Sequence, residues 1–167
     1  TRLKLAARYI TAGLPSEVFF TDTGGWDTHS NQVGFGTPEG GRHGRLITGL
    51  AGTLRAFMDD LAAWNKADDV IVMVFSEFGR RIGENGSLGT DHGHGNLSLV
   101  LGSSVRGGLY GKYPDLTKYS APYQNKYLRF DADSLDFRRM YAEILDKWLG
   151  VNSRRVLGQT FAPLGIL

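Results

Sequence analysis

Val70-Ile71-Val72-Met73-Val74-Phe75 is an unbroken apolar run, preceded by Asp68-Asp69 and followed by Ser76-Glu77. Such a run predicts the central strand of a parallel sheet that is covered on both faces. The chain just before it, residues 45–65, carries apolar side chains at steps of three and four, which predicts an amphipathic helix. These helical positions are 46, 47, 50, 54, 57, 58, 61 and 64.

Further elements are predicted on both sides of this pair. Residues 3–10 read as a helix that ends near Gly13, and residues 17–22 read as a short buried strand. Residues 97–101 predict another strand, which could form a hairpin with residues 108–110. A final helix is predicted from Asp133 or Ser134 to Leu149, stopped by Gly150. The order of elements favours a single α/β domain that spans residues 1–167, with a mainly parallel sheet flanked by helices.

Composition excludes several classes of protein. The chain has 19 basic and 17 acidic residues and a formal net charge of +2, which argues against general nucleic-acid binding. It has no cysteine, so disulfides and thiolate metal sites are excluded. The chain has no run of about 18 apolar residues, so no membrane span is predicted, and no export signal is visible.

Three polar clusters follow predicted strands, and ligands bind at that edge of an open α/β sheet. The first cluster is Gly24-Gly25-Trp26-Asp27-Thr28-His29. In an extended segment Asp27 and His29 point the same way, so both could reach one metal ion. Alternatively, Asp27 caps a turn and His29 is an ordinary surface residue.

The second cluster is Phe75-Ser76-Glu77-Phe78-Gly79-Arg80-Arg81. A carboxylate at the end of a buried strand needs a partner, so Glu77 is either a metal ligand or the ion-pair partner of a neighbouring arginine. The Arg80 guanidinium could bind a phosphate or sulfate through two parallel hydrogen bonds. Ser76 is a weak nucleophile candidate because no histidine beside it in sequence supplies a base.

The third cluster is Gly89-Thr90-Asp91-His92-Gly93-His94-Gly95. Asp91 and His92 are neighbours, so both reach one ion only in a bent loop, whereas His92 and His94 share a side if the chain is extended. His94 is the more expendable of the two histidines. His43, just before the long helix, could belong to an anion site, but a flexible loop is the preferred interpretation.

Four segments, in this order, resemble the bacterial family called domain of unknown function 1501. They are residues 24–29, residues 76–80, residues 89–93 and the closing stretch 141–150 with Trp148-Leu149-Gly150. The family is similar to a branch of the alkaline phosphatase and sulfatase superfamily, whose members hold one or two divalent metals at the carboxyl edge of a sheet. The resemblance implies an alkaline phosphatase-like fold of which this chain is the C-terminal portion, with the nucleophile and a first metal carboxylate supplied by an earlier portion.

The resemblance also implies a set of site residues. Asp27 and His29 look like one metal-binding pair, Asp91 and His92 look like another, and Glu77 takes the place of a strand-end carboxylate. The implied cofactor is a divalent metal, zinc first, with manganese or calcium as alternatives. Family members commonly carry an export signal, which implies a periplasmic or otherwise exported protein.

Two functions are compatible with these residues. The first is a metal-dependent hydrolase of phosphate or sulfate esters, in which Arg80 clamps a free oxyanion of a small anionic substrate and the fragment alone is inactive. The second is a non-catalytic, metal-stabilised module of an exported or cell-surface system that binds an anionic ligand or a partner. The sequence predicts neither the substrate nor the oligomeric state.

Overall fold

The computed structural model of the chain describes residues 2–34, 37–116 and 134–167. Two helices precede four short strands, and two short helices follow them. In chain order the elements are α1 (Arg2–Thr11), α2 (Arg42–Ala63), β1 (Val72–Val74), β2 (Gly79–Arg80), β3 (His92–Gly93), β4 (Leu99–Leu101), α3 (Arg138–Glu143) and α4 (Ser153–Leu157). None of the described helices is long and apolar enough to cross a bilayer.

The sheet prediction was wrong. Within the described ranges the strands form two separate antiparallel pairs, β1 with β4 and β2 with β3, and no extended parallel sheet is present. The domain is therefore small and of mixed fold, not an α/β domain built on a parallel sheet. A short apolar run does not encode the direction of its partner, and the chain after β1 returns through β4, so that Val72 lies opposite Leu101 and Val74 opposite Leu99.

One further strand prediction was wrong, and another was confirmed as a strand but not in its suggested hairpin. Residues 17–22 form no ladder, and the side chains of Val18 and Phe20 are largely exposed, while Phe19 packs against the core. The apolar run 97–101 supplies β4, but it pairs with β1 and not with residues 108–110, where Leu109 is fully exposed. Local apolar content therefore identified neither the burial of these segments nor their hydrogen-bonding partners.

The two N-terminal helices were predicted correctly. α1 spans Arg2–Thr11, and Gly13 follows it with φ +71°, where the Gly13 N–H donates to the carbonyl of Ile10 at 3.1 Å. Glycine suits this position because a left-handed backbone is costly for residues with a Cβ. α2 spans Arg42–Ala63, three residues earlier at its start and two at its end than the apolar spacing predicts.

The core lies between these two helices. Ala6 and Ala7 of α1 are buried against Phe57 and Leu61 of α2, and Leu61 is completely buried. Small side chains on α1 allow the larger side chains of α2 to fill the space between the helix axes. Partly buried side chains from the loop and from β1 complete this cluster, among them Phe19, Val70 and Val72.

The C-terminal helix begins later than predicted. α3 starts at Arg138, continues as a π-helical turn over Ile144–Trp148, and is followed by Gly150 with φ +63°; Asp133, one predicted start, lies outside the described residues. Glu143 on α3 is 1% exposed and accepts hydrogen bonds from Lys147 Nζ and from the backbone of the C-terminal segment. Burial alone would raise the pKa of Glu143, but Lys147 and these N–H donors outweigh it and lower the pKa to about 2.

Candidate metal centre

The site is built where a loop after α1 meets the segment that joins β2 to β3. Backbone hydrogen bonds fasten the two, from Thr90 N–H to Thr28 O at 3.3 Å and from Gln32 N–H to Leu88 O at 2.8 Å. Gly89 lies so close to the backbone of His29 that a Cβ at this position would collide with the His29 carbonyl. Glycine at residue 89 is therefore what lets the two segments touch.

Alternation along the loop directs two donors to one side. Thr28 is completely buried, while Asp27 and His29 on either side of it are exposed. This matches the expectation that residues two apart in an extended segment point the same way. The side chain of His92, on β3, extends to Asp27 and His29.

Three donor atoms from these residues form a small triangle. Asp27 Oδ1 lies 2.7 Å from His92 Nε2 and 3.0 Å from His29 Nε2, and the two Nε2 atoms are 3.1 Å apart. The side chains of all three residues are about half exposed, so the triangle faces solvent. This group could hold a metal ion, because one carboxylate and two imidazoles are ligands that divalent transition metals accept.

Asp91 lies behind His29, outside the triangle. Its Oδ1 atom accepts from His29 Nδ1 at 3.2 Å and from Asn85 Nδ2 at 3.1 Å. The Asn85 and His29 hydrogen bonds hold the pKa of Asp91 below its ordinary value, so the group is ionised at neutral pH. A carboxylate on Nδ1 keeps the proton there and leaves Nε2 of His29 free to ligate.

Arg80 stands on the other side of the triangle. Its guanidinium donates to Asp27 Oδ1 at 2.7 Å, to the carbonyl of Thr90 at 2.8 Å and to the carbonyl of Trp26 at 2.9 Å. Arg80 and His92 are directly opposed in the β2–β3 pair, so their side chains share a face and both meet Asp27. The hydrogen bonds from His92 and Arg80 lower the pKa of Asp27.

Phe78 fixes the ring of His92. The two rings stack with their centroids 3.8 Å apart and their planes inclined by 24°. The Arg80 guanidinium also lies 5.6 Å from the centre of the Phe78 ring. Ring stacking restricts the rotation of His92.

The remaining sequence candidates lie elsewhere. Glu77 is exposed and makes no ion pair among the described residues, and His94 is exposed and outside the triangle. The Ser76 hydroxyl donates to the carbonyl of Phe78 at 2.6 Å and accepts from Asn96. His43 packs edge-on against Trp26, and its backbone N–H donates to Gln32.

Sequence reasoning did not single out Asn85 or Phe78. Asn85-Gly86 is a turn signal, and Asn85 does organise this turn by accepting from the backbone N–H groups of Ser87 and Gly89. Nothing in the sequence indicates that its Nδ2 also reaches Asp91 and the carbonyl of His29. Phe78 lies between Glu77 and Gly79 in the second cluster, and an aromatic residue in that place carries no signal of its own.

Comparison with known proteins identifies the family without an activity. No curated protein and no solved structure matches the chain. Residues 4–161 match the family described as protein of unknown function (DUF1501), and the chain therefore belongs to that family.

Proposed function

We propose that this chain supplies a divalent-metal centre to a hydrolase of phosphate or sulfate esters. The observation that carries the proposal is the triangle of Asp27 Oδ1, His29 Nε2 and His92 Nε2, with sides of 2.7 to 3.1 Å and an exposed outer face. Three protein donors leave coordination positions for water and substrate, as catalytic metal sites require. Resemblance to the alkaline phosphatase and sulfatase superfamily supports the ester class.

The donor set bears on the choice of metal. Two imidazoles and one carboxylate suit zinc or manganese, whereas calcium prefers a shell of oxygen ligands only. We therefore rank zinc and manganese above calcium. When bound, such an ion would polarise the ester and lower the pKa of a coordinated water.

The chain's own residues divide into ligands and positioning residues under this proposal. Asp27, His29 and His92 are the ligands, and Asp91 holds the His29 ring through Nδ1. Arg80 donates to three protein acceptors, so we propose that it positions Asp27 instead of clamping a substrate oxyanion. Glu77 has no part in the centre.

A second candidate is a non-catalytic, metal-stabilised binding module. The observation in its favour concerns Ser76, the nucleophile candidate, because its hydroxyl is engaged by Phe78 and Asn96 and neither of these supplies a base. In this reading the metal orders the loop and the β2–β3 segment, and an anionic ligand or partner binds over it. Family resemblance supports an exported location for either candidate.

Metal content and turnover distinguish the hydrolase from the binding module. Protein prepared without chelators is analysed for bound metal, then stripped and assayed against aryl phosphate and aryl sulfate with added Zn²⁺ or Mn²⁺. We expect stoichiometric metal and metal-dependent turnover by the full-length protein, both lost in His29→Asn and retained in Asp60→Asn, which changes an exposed carboxylate on α2. Stoichiometric metal without turnover would eliminate the hydrolase and leave the binding module. No bound metal would eliminate both.

A further inference from the structure

The spacing of the three donors carries information about coordination number. One Oδ1 atom and two Nε2 atoms account for all three distances of 2.7, 3.0 and 3.1 Å, so they form a single triangle. Tetrahedral zinc, with bonds of about 2.0 to 2.1 Å, separates its donors by roughly 3.3 to 3.4 Å. Adjacent corners of an octahedron with similar or slightly longer bonds are only roughly 2.9 to 3.1 Å apart.

Independent contacts hold each of the three donor side chains. Asp91 holds His29 at Nδ1, Arg80 holds Asp27 at 2.7 Å, and Phe78 stacks on His92. The backbone of His92 is also paired with Arg80, and a Cβ at Gly93 would collide with the Arg80 backbone, so β3 lies tightly against β2. Spreading the donors to tetrahedral separations would therefore disturb several partners at once.

We infer that Asp27, His29 and His92 form one face of a six-coordinate metal site, with three adjacent positions open on the solvent side. This inference rests on the proposed metal centre and specifies the class of ion that it favours. Two histidines and one carboxylate on a single octahedral face suit Fe²⁺ or Mn²⁺, whose six-coordinate chemistry leaves several exchangeable positions. A four-coordinate zinc site with the same three ligands would leave only one exchangeable position.

Cobalt is a direct probe because its visible spectrum reports coordination number. Metal-depleted protein is titrated with Co²⁺ alone, with binding followed by calorimetry and the electronic spectrum recorded at saturation. We expect saturable, stoichiometric binding with the weak visible absorption of six-coordinate Co²⁺. Affinity should fall at least about 10-fold in His29→Asn and remain unchanged in Asp60→Asn.

Each other outcome has a distinct meaning. Intense visible absorption, typical of four-coordinate Co²⁺, would overturn the six-coordinate inference and leave the metal-dependent function intact. Weak absorption with affinity unchanged in His29→Asn would show that Co²⁺ binds elsewhere and would overturn the inference. No saturable binding would overturn both proposals. Six-coordinate Co²⁺ in a full-length protein without turnover would overturn the hydrolase alone.

Discussion

In the proposed metal centre, the contacts of single side chains decide which residues would be ligands and which would position them. Asp91 and His92 are neighbours, and an extended backbone sends neighbouring side chains to opposite sides. In the structure His92 Nε2 meets Asp27, whereas Asp91 meets the far nitrogen of His29. Under the proposed metal centre, this pair therefore supplies one ligand, His92, and one positioning residue, Asp91.

Replacing Asp91 tests this division. In Asp91→Asn the amide no longer offers a charged acceptor to His29 Nδ1, so the imidazole loses both orientation and basicity. We expect metal affinity to fall about 10- to 100-fold, with the thermal unfolding transition retained. Calorimetric titration with Mn²⁺ measures the effect, and Asp60→Asn is the matched control. An affinity equal to that of the unmodified protein would contradict the positioning role.

Replacing Glu77 tests the sequence-based ligand set. Its side chain is exposed and lies outside the triangle, so Glu77→Gln should leave metal affinity within about 2-fold of the unmodified value. The measurement is the same Mn²⁺ titration, run beside His92→Asn, which should lose binding. A loss in Glu77→Gln as large as that in His92→Asn would restore Glu77 as a ligand.

At the scale of elements, the two-residue strands β2 and β3 carry more of the site than their length indicates. Their pairing places Arg80 beside His92, and both then meet Asp27. Gly93 is essential to this approach because its position leaves no space for a Cβ against the backbone of Arg80. The glycines of the third cluster are therefore packing residues as well as turn residues.

A methyl group at residue 93 should separate the two strands. We expect Gly93→Ala to lower the free energy of unfolding by about 1 to 3 kcal/mol. We also expect it to weaken metal binding, because separating β2 from β3 would move His92 away from Arg80 and Asp27. Gly86→Ala is the control, since a Cβ there meets nothing within 4 Å. Urea denaturation and metal titration measure the two effects. Wild-type affinity and stability in Gly93→Ala would show that β2 and β3 can part without disturbing the site.

The elements also show how far sequence patterns reach. Helices α1 and α2 follow from apolar spacing within each segment, because helical hydrogen bonds are local. Strand partners do not follow, because Val72–Val74 pairs with residues 25 to 29 positions away and the composition of the run does not specify their direction. Asp27, His29 and His92 stood out by residue type and glycine context, but the roles of Asp91 and Arg80 depend on contacts between distant segments.

For the molecule as a whole, Glu143 fastens the C-terminal segment to α3. Its Oε1 atom accepts from Lys147 Nζ at 2.9 Å and from Leu167 N–H at 3.1 Å, while Oε2 accepts from the N–H groups of Leu164 and Gly165. Lys147 also donates to the Leu167 carbonyl at 2.7 Å. The segment also contacts the loop after β4, because Arg106 N–H donates to the carbonyl of Ile166 at 2.8 Å.

The lowered pKa of Glu143 predicts how stability changes with pH. A carboxyl group whose pKa falls from 4.5 to about 2 on folding stabilises the native state fully above pH 4.5 and progressively less as the pH falls towards 2. The full contribution is on the order of 3 kcal/mol. In Glu143→Gln the amide NH₂ must replace either Oε1 or Oε2 and then faces N–H donors with which it cannot hydrogen-bond. The stabilisation from the charge is therefore lost.

Urea denaturation of the unmodified protein and of Glu143→Gln between pH 7 and pH 2.5 measures this contribution. We expect the difference in unfolding free energy to be largest near neutral pH and to shrink below pH 4.5, because the unmodified protein then loses the same charge. Taking the difference removes the contributions of Asp27, Asp91 and Asp136, whose pKa values are also lowered. Should Glu143→Gln fail to fold, Lys147→Met removes the partly exposed ammonium and should give a smaller loss with the same trend. A difference independent of pH would mean that Glu143 acts through packing and not through its charge.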